Sequence, residues 1–507
     1  MSKEGDQQLM STKTLNQTLA LRAARILKRS IRNGAAGAMK ARPLVIISLA
    51  VALAFASVAS AKHFGGQGAR VKASSSSGGS SEPDTASNEG APIQSSDVVS
   101  IDNSQLQSSL TGEDVILQWN RVLRETVAIP GQNAPTIYAA RTHAMMHAAM
   151  FDAVNSIDET YTPYSVDVPG KKHASIEAAA AQAAHDILVV LFPTRVAVFD
   201  AELAASFVGI QENRMRQGIK VGQIVAAHML AARSNDGWNV TPPPFVSLPT
   251  PGNWQPTPPG FAAATFTHYP AVLPFGTLNS SQFLANPPPA LTSEQYAADL
   301  NEVMELGSAT STSRTADQTQ VTRLWNDVGT PTNFYSVWNN VARQAAISRN
   351  LSTVENARLF ALLNIAHHDA LQTAFSSKYV YGLWRPVTAI RRADEDGNPD
   401  TTQDVNWSSL IAVKSHPSHT GDVAAVGASQ STMLALFFVR DDMPFQNTWE
   451  GAGGATRSYP SFTAMADEQA RSCVYAGTDF TFAISAGQSI GRNVANYVFL
   501  NLMRPRR

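Results

Sequence analysis

The chain of 507 residues has one cysteine, Cys473, and almost no net charge. A single cysteine excludes an intrachain disulfide and any cysteine-rich metal site, and its simplest role is that of a small buried hydrophobe. Lysine and arginine number 39 against 40 acidic residues, which argues against nucleic acid as a partner. A hydrophobic fraction of 44% still provides material for a large core. The composition therefore predicts a globular protein.

Convincing runs of alternating strand pattern are also missing, whereas apolar residues recur at helical spacing along most of the chain. Ser352, followed by Glu355 three residues later, fits a capping box at one helix start. The pattern predicts an all-α fold, a helical bundle with helices near residues 113–127, 135–157, 174–191, 195–207, 212–234, 293–306, 333–349, 352–376, 420–438, 463–476 and 479–502.

Two stretches interrupt this helical pattern. Residues 241–276 are too rich in proline for a helix or an inner strand, yet they carry Phe245, Trp254 and Phe261. Such a segment is either a lid over a pocket or a strap packed on the bundle surface, and we favour the strap. The second stretch, residues 441–459, contains the sequence G-A-G-G and is a candidate border of a site entrance.

The N-terminal region has the composition of a targeting segment. Basic residues are scattered through residues 1–42, and residues 43–61 are apolar, uncharged and end on Ala-Ser-Ala. This order indicates an export signal, and uncleaved it is long enough to act as a single membrane anchor. A two-part signal to an organelle lumen is the alternative. We therefore expect an exported or membrane-anchored protein with a targeting segment at 1–61, a disordered Ser/Gly-rich tether at 62–111 and a helical domain at 112–507.

The most informative motif is a lysine, six residues and an Arg-Pro pair, K-Y-V-Y-G-L-W-R-P. Lys378 and Arg385 are about two helical turns apart, so both heads can enter one pocket. Lysine supplies a compact charge, and arginine supplies a planar fork suited to an oxyanion. Pro386 ends or kinks any helix at this point. Spacing alone is equally compatible with an amphipathic surface segment carrying two solvated cations.

The surrounding sequence resembles the vanadium-dependent haloperoxidase and type 2 phosphatidic acid phosphatase superfamily, whose first motif is K-x6-R-P. The similarity to its bacterial-type haloperoxidase branch covers roughly residues 112–502. It is carried by S-S-K-Y-V-Y-G-L-W-R-P-V-T-A-I-R, by D-G-N-P-D-T-T-Q-D-V-N-W, by L-Q-W-N-R-V-L-R-E-T from Leu117, by H-A-M-M-H-A-A-M-F-D-A-V-N-S-I from His143 and by L-W-N-D-V-G-T-P-T-N-F-Y-S-V-W-N from Leu324. The resemblance implies a helical bundle with an oxyanion site among its central helices.

The family's second motif is altered in this chain. It is normally Pro-Ser-Gly-His, where Ser and a backbone N–H bind the oxyanion and His acts as acid and base. Here the same place carries Pro417, Ser418, His419 and Thr420. The serine is kept, and a local shift of one residue would let His419 take the role of the family's histidine.

The third motif departs further. The family has Ser-Arg followed, after five residues, by the His that bonds vanadium or carries phosphate. Alignment on V-Y-A-G-T-D-F places Cys473 on the arginine and Asp479 on the histidine, and no histidine follows His419. Both changes weaken anion binding, by about 1–3 kcal/mol for each lost charge-assisted contact. Arg471 is the candidate to compensate.

The resemblance implies a catalytic set made of Lys378, Arg385, Ser418, His419 and Asp479, the first four also binding vanadate. The leading hypothesis is a haloperoxidase that oxidises halide with hydrogen peroxide. One alternative is a phosphatase acting on a phosphorylated small molecule, and another is a catalytically silent member that binds an anion or a partner. Asp479 has two roles open to it, and we favour a helix cap over a carboxylate inside the site.

Two histidine groups are weaker candidates for metal ligands. His143 and His147 lie four residues apart on one helix face, a spacing compatible with a divalent metal. No third ligand is visible, so buried structural histidines are the favoured interpretation. The same holds for His367 and His368, which point about 100° apart on a helix. No metal site is predicted.

Overall fold

The computed structural model describes residues 113–129, 131–132, 136–169, 171–326, 334–449 and 454–506. These residues belong to one compact unit, Pro92–Arg507. The predicted targeting segment at 1–61 and the tether at 62–111 lie outside the described residues. Within the described part of the chain, no helix combines the length and the apolar character needed to cross a membrane.

The predicted all-α class is confirmed. Ser352 and Glu355 form the expected capping box, with each side chain bonded to the other's backbone N–H. Thirteen α-helices lie in the described residues: α1 Val115–Ala128, α2 Thr136–Asp158, α3 Ile176–Leu191, α4 Val196–Ser206, α5 Glu212–Ala232, α6 Glu294–Leu306, α7 Ala316–Asn326, α8 Phe334–Ser348, α9 Thr353–Tyr381, α10 Pro386–Arg391, α11 Asp422–Phe438, α12 Phe462–Tyr475 and α13 Thr481–Asn501.

The expectation that no strand is present is wrong for the second irregular stretch. Strands β1 (Phe445–Trp449) and β2 (Ala455–Tyr459) form an antiparallel hairpin. Asn447 and Trp449 are the buried positions of β1. Because one of them is polar, the alternation of apolar and polar residues that predicts a strand is not visible in the sequence. Trp449 packs edge-on against Trp325 of α7 at 5.3 Å, which holds the hairpin on the bundle.

Helix α9 runs through the centre of the bundle and is buried along nearly its whole length. It packs against α2, α11 and α13. Helices α11 and α13 approach each other closely because glycines face the neighbouring backbone. A Cβ on Gly487 would lie 2.1 Å from the Gly421 carbonyl oxygen, and one on Gly491 would lie 2.2 Å from that of Ala425. This contact brings the start of α11 beside the segment that precedes α13.

The proline-rich stretch at 241–276 is a strap, as favoured from the sequence. Its Trp254 is buried and donates its backbone N–H to the Gly382 carbonyl at 2.7 Å. Trp384 donates its N–H back to the Gly252 carbonyl at 2.9 Å. Farther along, Asp369 of α9 accepts three consecutive backbone N–H groups, those of Phe275, Gly276 and Thr277. The strap is therefore fixed to α9 and to the turn that follows it.

Three of the histidines considered as metal ligands, His143, His147 and His368, have structural partners. His147 stacks on Phe360 at 5.3 Å and bonds the Asn120 amide at 3.0 Å, and His143 Nδ1 lies 2.8 Å from the Ala139 carbonyl. His368 bonds Asp369 at 2.9 Å. Among the residues with described positions, no group of His, Cys, Asp and Glu is arranged to hold a metal ion.

Candidate functional site

Lys378 lies in the last turn of α9, which ends at Gly382 in the left-handed conformation with φ 57°. The side chain is completely buried. Its Nζ donates to the carbonyl oxygens of Pro417 and Ser418, both at 3.0 Å, and pairs with Asp422 Oδ1 at 3.2 Å. Three acceptors therefore match its three protons. Burial lowers the pKa of Lys378, and the charge of Asp422 opposes that shift.

Arg385 immediately precedes α10 and is 1% exposed, so the sequence alternative of two solvated surface cations is wrong. Its Nε donates to the His416 carbonyl at 2.6 Å, and one terminal nitrogen donates to the Thr478 carbonyl at 2.9 Å and to Asp479 Oδ1 at 2.8 Å. The other terminal nitrogen faces His416 Nδ1 at 2.8 Å. Four of the five guanidinium protons thus have acceptors.

Asp479 lies inside this group and is 3% exposed. Its Oδ1 accepts from both Arg385 and the hydroxyl of Ser418, which lies 3.0 Å away. Burial raises the pKa of Asp479, while the positive charges of Arg385 and Lys378 act in the opposite direction. Ser418 is itself fixed, because its backbone N–H donates to the Leu383 carbonyl at 3.0 Å.

The favoured interpretation of Asp479 as a helix cap is wrong. Helix α13 begins at Thr481, and Phe480 occupies the cap position without a side-chain hydrogen bond. The N–H of Phe482 in the first turn is bonded instead by Asp299 of α6. Asp479 directs its carboxylate to Arg385, away from the start of the helix that follows it. The cap prediction failed because a carboxylate from a distant helix takes that role.

His419 does not take part in the same network. Its Nε2 bonds the Asn286 carbonyl at 2.9 Å, and its ring lies between Tyr381 at 5.3 Å and Phe482 at 5.9 Å. Burial lowers its pKa to about 4, so the imidazole is neutral at pH 7. The hydrogen bond of His419 goes to Asn286 and its Nδ1 has no partner among the residues that the structure describes, so its role as oxyanion ligand and acid–base partner stays a prediction.

Two residues of the network were missed from the sequence. His416 accepts from Arg385 through Nδ1, and burial together with the charges of Arg385 and Lys378 holds its pKa well below the ordinary value. Asp422 opens α11 and pairs with Lys378. Burial alone would raise the pKa of Asp422, but the charges of Lys378, Lys414 and Arg385 together with His416 outweigh burial and hold that pKa far below 3.8. An acid four residues after Ser418, at the start of an apolar helix, was the available signal.

Neither Cys473, in the third motif, nor Arg471, just before it, restores the lost positive charge. Cys473 packs its sulfur 3.7 Å from Asn326 Oδ1, and burial raises the pKa of its thiol to about 12. The expected compensation by Arg471 is wrong, because its guanidinium binds Glu302 at 2.7 Å and Thr481 at 3.0 Å. The wall beside Asp479 therefore keeps one arginine, Arg385.

We call Lys378, Arg385, Ser418, Asp422 and Asp479 the cradle. It holds two cations and two carboxylates, so its formal charges cancel when all four are ionised. All five side chains are buried. The structure brings Lys378, Arg385 and Ser418 together as expected from the sequence, and it adds Asp479, for which a helix cap was favoured. Backbone carbonyls, His416 and the two carboxylates already accept from most of the donors.

A helical bundle with a buried Lys–Arg–Ser centre is the architecture of the vanadium haloperoxidases. Residues 358–507 match the family described as the VCPO second helical-bundle domain. Vanadium chloroperoxidase from Curvularia inaequalis is 29% identical over 142 residues, a match that covers 24% of this chain and 22% of that protein. The matched segment thus spans about a fifth of that relative's length.

Two solved structures share the fold over most of the chain. A bacterial vanadium-dependent iodoperoxidase aligns with a TM-score of 0.66 at 23% identity, covering 83% of this chain and 100% of that one. A holo-type bacterial vanadium-dependent chloroperoxidase aligns with a TM-score of 0.59 at 18% identity, covering 74% and 93%. Together, these matches confirm the resemblance to the vanadium haloperoxidase superfamily that the motifs predicted.

Proposed function

We propose that this helical domain is a catalytically silent relative of the vanadium haloperoxidases, which keeps the scaffold and acts by binding a partner. The observation that supports this is the position of Asp479. Its Oδ1 accepts from Arg385 and Ser418, the two donors that the resemblance assigns to an oxyanion. Neither donor is free to receive a cofactor while that carboxylate remains.

The residues present do not fit a resident vanadate. The family's axial ligand is a neutral imidazole nitrogen, whereas the aligned residue here is an acid already paired with Arg385. A second anion at about 4 Å from an ionised carboxylate is opposed by about 4 kcal/mol at an effective dielectric constant near 20. Asp422 adds a further negative charge in the same centre. Halide oxidation by peroxide therefore ranks below the silent role.

A phosphatase in the same pocket is disfavoured for a related reason. The family's nucleophilic histidine is absent, and the aligned carboxylate of Asp479 is held by two donors. An aspartyl-phosphate at Asp479 would require this buried ion pair to break, and breaking such a pair costs about 3–5 kcal/mol. Asp422 is held in the same way by Lys378.

The test is a halide oxidation assay on purified protein with saturating vanadate and hydrogen peroxide, using bromide and iodide from pH 4 to 8. We expect no turnover above a blank that contains vanadate and peroxide without protein. A bacterial vanadium iodoperoxidase assayed in parallel verifies the conditions. Vanadate-dependent turnover that disappears in a Lys378→Met variant would overturn the proposal.

We also propose, from the N-terminal pattern alone, that the domain is exported or membrane-anchored, with an organelle lumen as the alternative. The basic leader and the apolar run at 43–61 support this. Residues 1–70 fused to a fluorescent reporter should direct it out of the cytosol. A reporter that stays cytosolic would contradict the proposal.

A further inference from the structure

We infer that Asp479 is the built-in anion of the cradle, and that removing its carboxylate opens a site for a small external oxyanion. The inference concerns this chain's own residue and uses the proposed function only to identify the cradle. Halide oxidation by the wild-type protein would overturn that function, whereas the inference is tested separately, by whether removing the carboxylate creates anion binding that wild type lacks.

The contact pattern around Asp479 is that of a bound oxyanion. One oxygen, Oδ1, receives a guanidinium N–H at 2.8 Å and a hydroxyl at 3.0 Å from residues 385 and 418. These two donors come from different parts of the chain, the residue before α10 and the loop before α11. A carboxylate held by converging charged and neutral donors is bound as an external anion is bound.

The direct ion pair of Asp479 is with Arg385. Lys378 is already balanced by Asp422 and by two carbonyl oxygens. His416, the other side chain against Arg385, accepts a hydrogen bond from it at Nδ1 and carries no charge in that role. Without the carboxylate, Arg385 is a cation that is 1% exposed and has no counter-charge. A buried cation of this kind is a strong attractor for an anion.

The chain offers a matched pair of variants at one position. Asp479→Gly removes the carboxylate and leaves a vacancy beside Arg385 and Ser418. Asp479→Asn removes the charge but keeps the side-chain volume, so the space beside Arg385 and Ser418 remains filled. Formate is the probe, because it is a carboxylate of the size that glycine vacates, and phosphate tests whether a tetrahedral oxyanion is also accepted.

In thermal melts at constant ionic strength, with chloride as the reference, we expect 50 mM formate to raise the Tm of Asp479→Gly by several degrees. Wild type and Asp479→Asn should not respond. Calorimetry should give at least tenfold tighter formate binding to Asp479→Gly than to wild type, and adding Ser418→Ala should weaken it again. If Asp479→Gly does not fold, Asp479→Ala produced in formate replaces it.

A second measurement does not depend on the variants. The side-chain Nε–H resonance of Arg385 in the wild-type protein should stay unchanged when formate or phosphate is added, because the carboxylate of Asp479 already occupies the anion position beside Arg385. Wild-type binding as tight as that of Asp479→Gly would overturn the inference. So would a folded Asp479→Gly that responds to neither anion.

Discussion

At the scale of single residues, each of the two carboxylates in the cradle pairs with one of its two cations. Asp422 pairs with Lys378 and Asp479 pairs with Arg385. Both pairs are buried, where removing one partner leaves an uncompensated charge in a poorly hydrated place. Removing one partner of either pair therefore costs more stability than the intact pair contributes. Either carboxylate is hard to replace for this reason.

Asp422 should make the protein sensitive to acid. Its pKa is depressed in the folded state, so its contribution to stability is present above the unfolded pKa of 3.8 and is lost as the pH falls through the folded value. Asp422→Asn should lower the free energy of unfolding at pH 7 by about 3–5 kcal/mol, because Lys378 loses its counter-charge. Urea denaturation at pH 7 measures this loss.

Asp422→Asn also tests the direction in which stability changes with pH. Wild type should lose stability from about pH 4 downward, and Asp422→Asn should lose less over that range because it has no carboxylate to protonate there. Asp442→Asn is the matched control, since Asp442 is exposed and its ion pair with Arg440 lies at the surface. Parallel acid curves for wild type and Asp422→Asn would contradict the assignment.

What the sequence predicted at this scale was the convergence of Lys378, Arg385 and Ser418, because motif spacing carries information on which residues converge. For Asp479 it favoured a helix cap, which is wrong. It did not predict the direction of His419 or the cap role of Asp299. Both depend on groups far along the chain, Asn286 for the first and α13 for the second. Local sequence contains no record of such distant partners.

At the scale of elements, the contact between α11 and α13 sets the geometry of the cradle. Gly487 faces the Gly421 carbonyl, directly before Asp422. Alanine normally stabilises a helix interior relative to glycine by about 0.5–1 kcal/mol. At this position the alanine Cβ would lie 2.1 Å from a backbone oxygen, and a backbone atom cannot relieve the clash by a change of rotamer. The helices must then separate.

We therefore expect Gly487→Ala to destabilise the protein by about 1–3 kcal/mol, the usual range for overpacking. Denaturant unfolding monitored by circular dichroism measures it. Gly260→Ala is the control, because nothing lies within 4 Å of a Cβ built there, and it should change stability by less than about 0.5 kcal/mol. A stabilised Gly487→Ala would show that the helices lie farther apart than described.

The strap depends on Asp369, which holds three consecutive backbone N–H groups. Asp369→Asn leaves at least one of them without an acceptor, since an amide offers a single oxygen. We expect a loss of about 1–3 kcal/mol in local stability and faster hydrogen exchange at Gly276 and Thr277. The N–H of Trp254 donates to the Gly382 carbonyl instead, so its exchange rate is the internal control.

Element prediction succeeded where apolar periodicity is strong and failed where an element is short. The eleven predicted helices overlap helices of the structure, with α9 the clearest case. Helices α7 and α10 were missed because each offers few turns to the pattern. The hairpin was missed because Asn447 occupies an inward position of β1.

At the scale of the whole molecule, the fold is shared with solved vanadium haloperoxidases and the differences in the motifs are local. The fold aligns with 100% of a bacterial iodoperoxidase chain, and residues 358–507 match the second helical-bundle domain. Lys378 and Arg385 lie buried within the matched residues. The scaffold is therefore intact around a centre in which position 479 carries an acid and position 473 carries no cation. A scaffold of this kind should accept the family's residues back.

Asp479→His combined with Cys473→Arg should create vanadate binding. The first change removes the carboxylate from Arg385 and Ser418, and the second adds a cation to the same wall. Position 473 is 2% exposed, so an unneutralised arginine there is costly. The double variant should be less stable than wild type without vanadate, and vanadate at 100 times its Kd should restore about 2.7 kcal/mol. Thermal melts with and without vanadate measure this, with Asp479→His alone gaining less and wild type unchanged. A folded double variant whose Tm ignores vanadate would mean that the loss of function extends beyond these two positions.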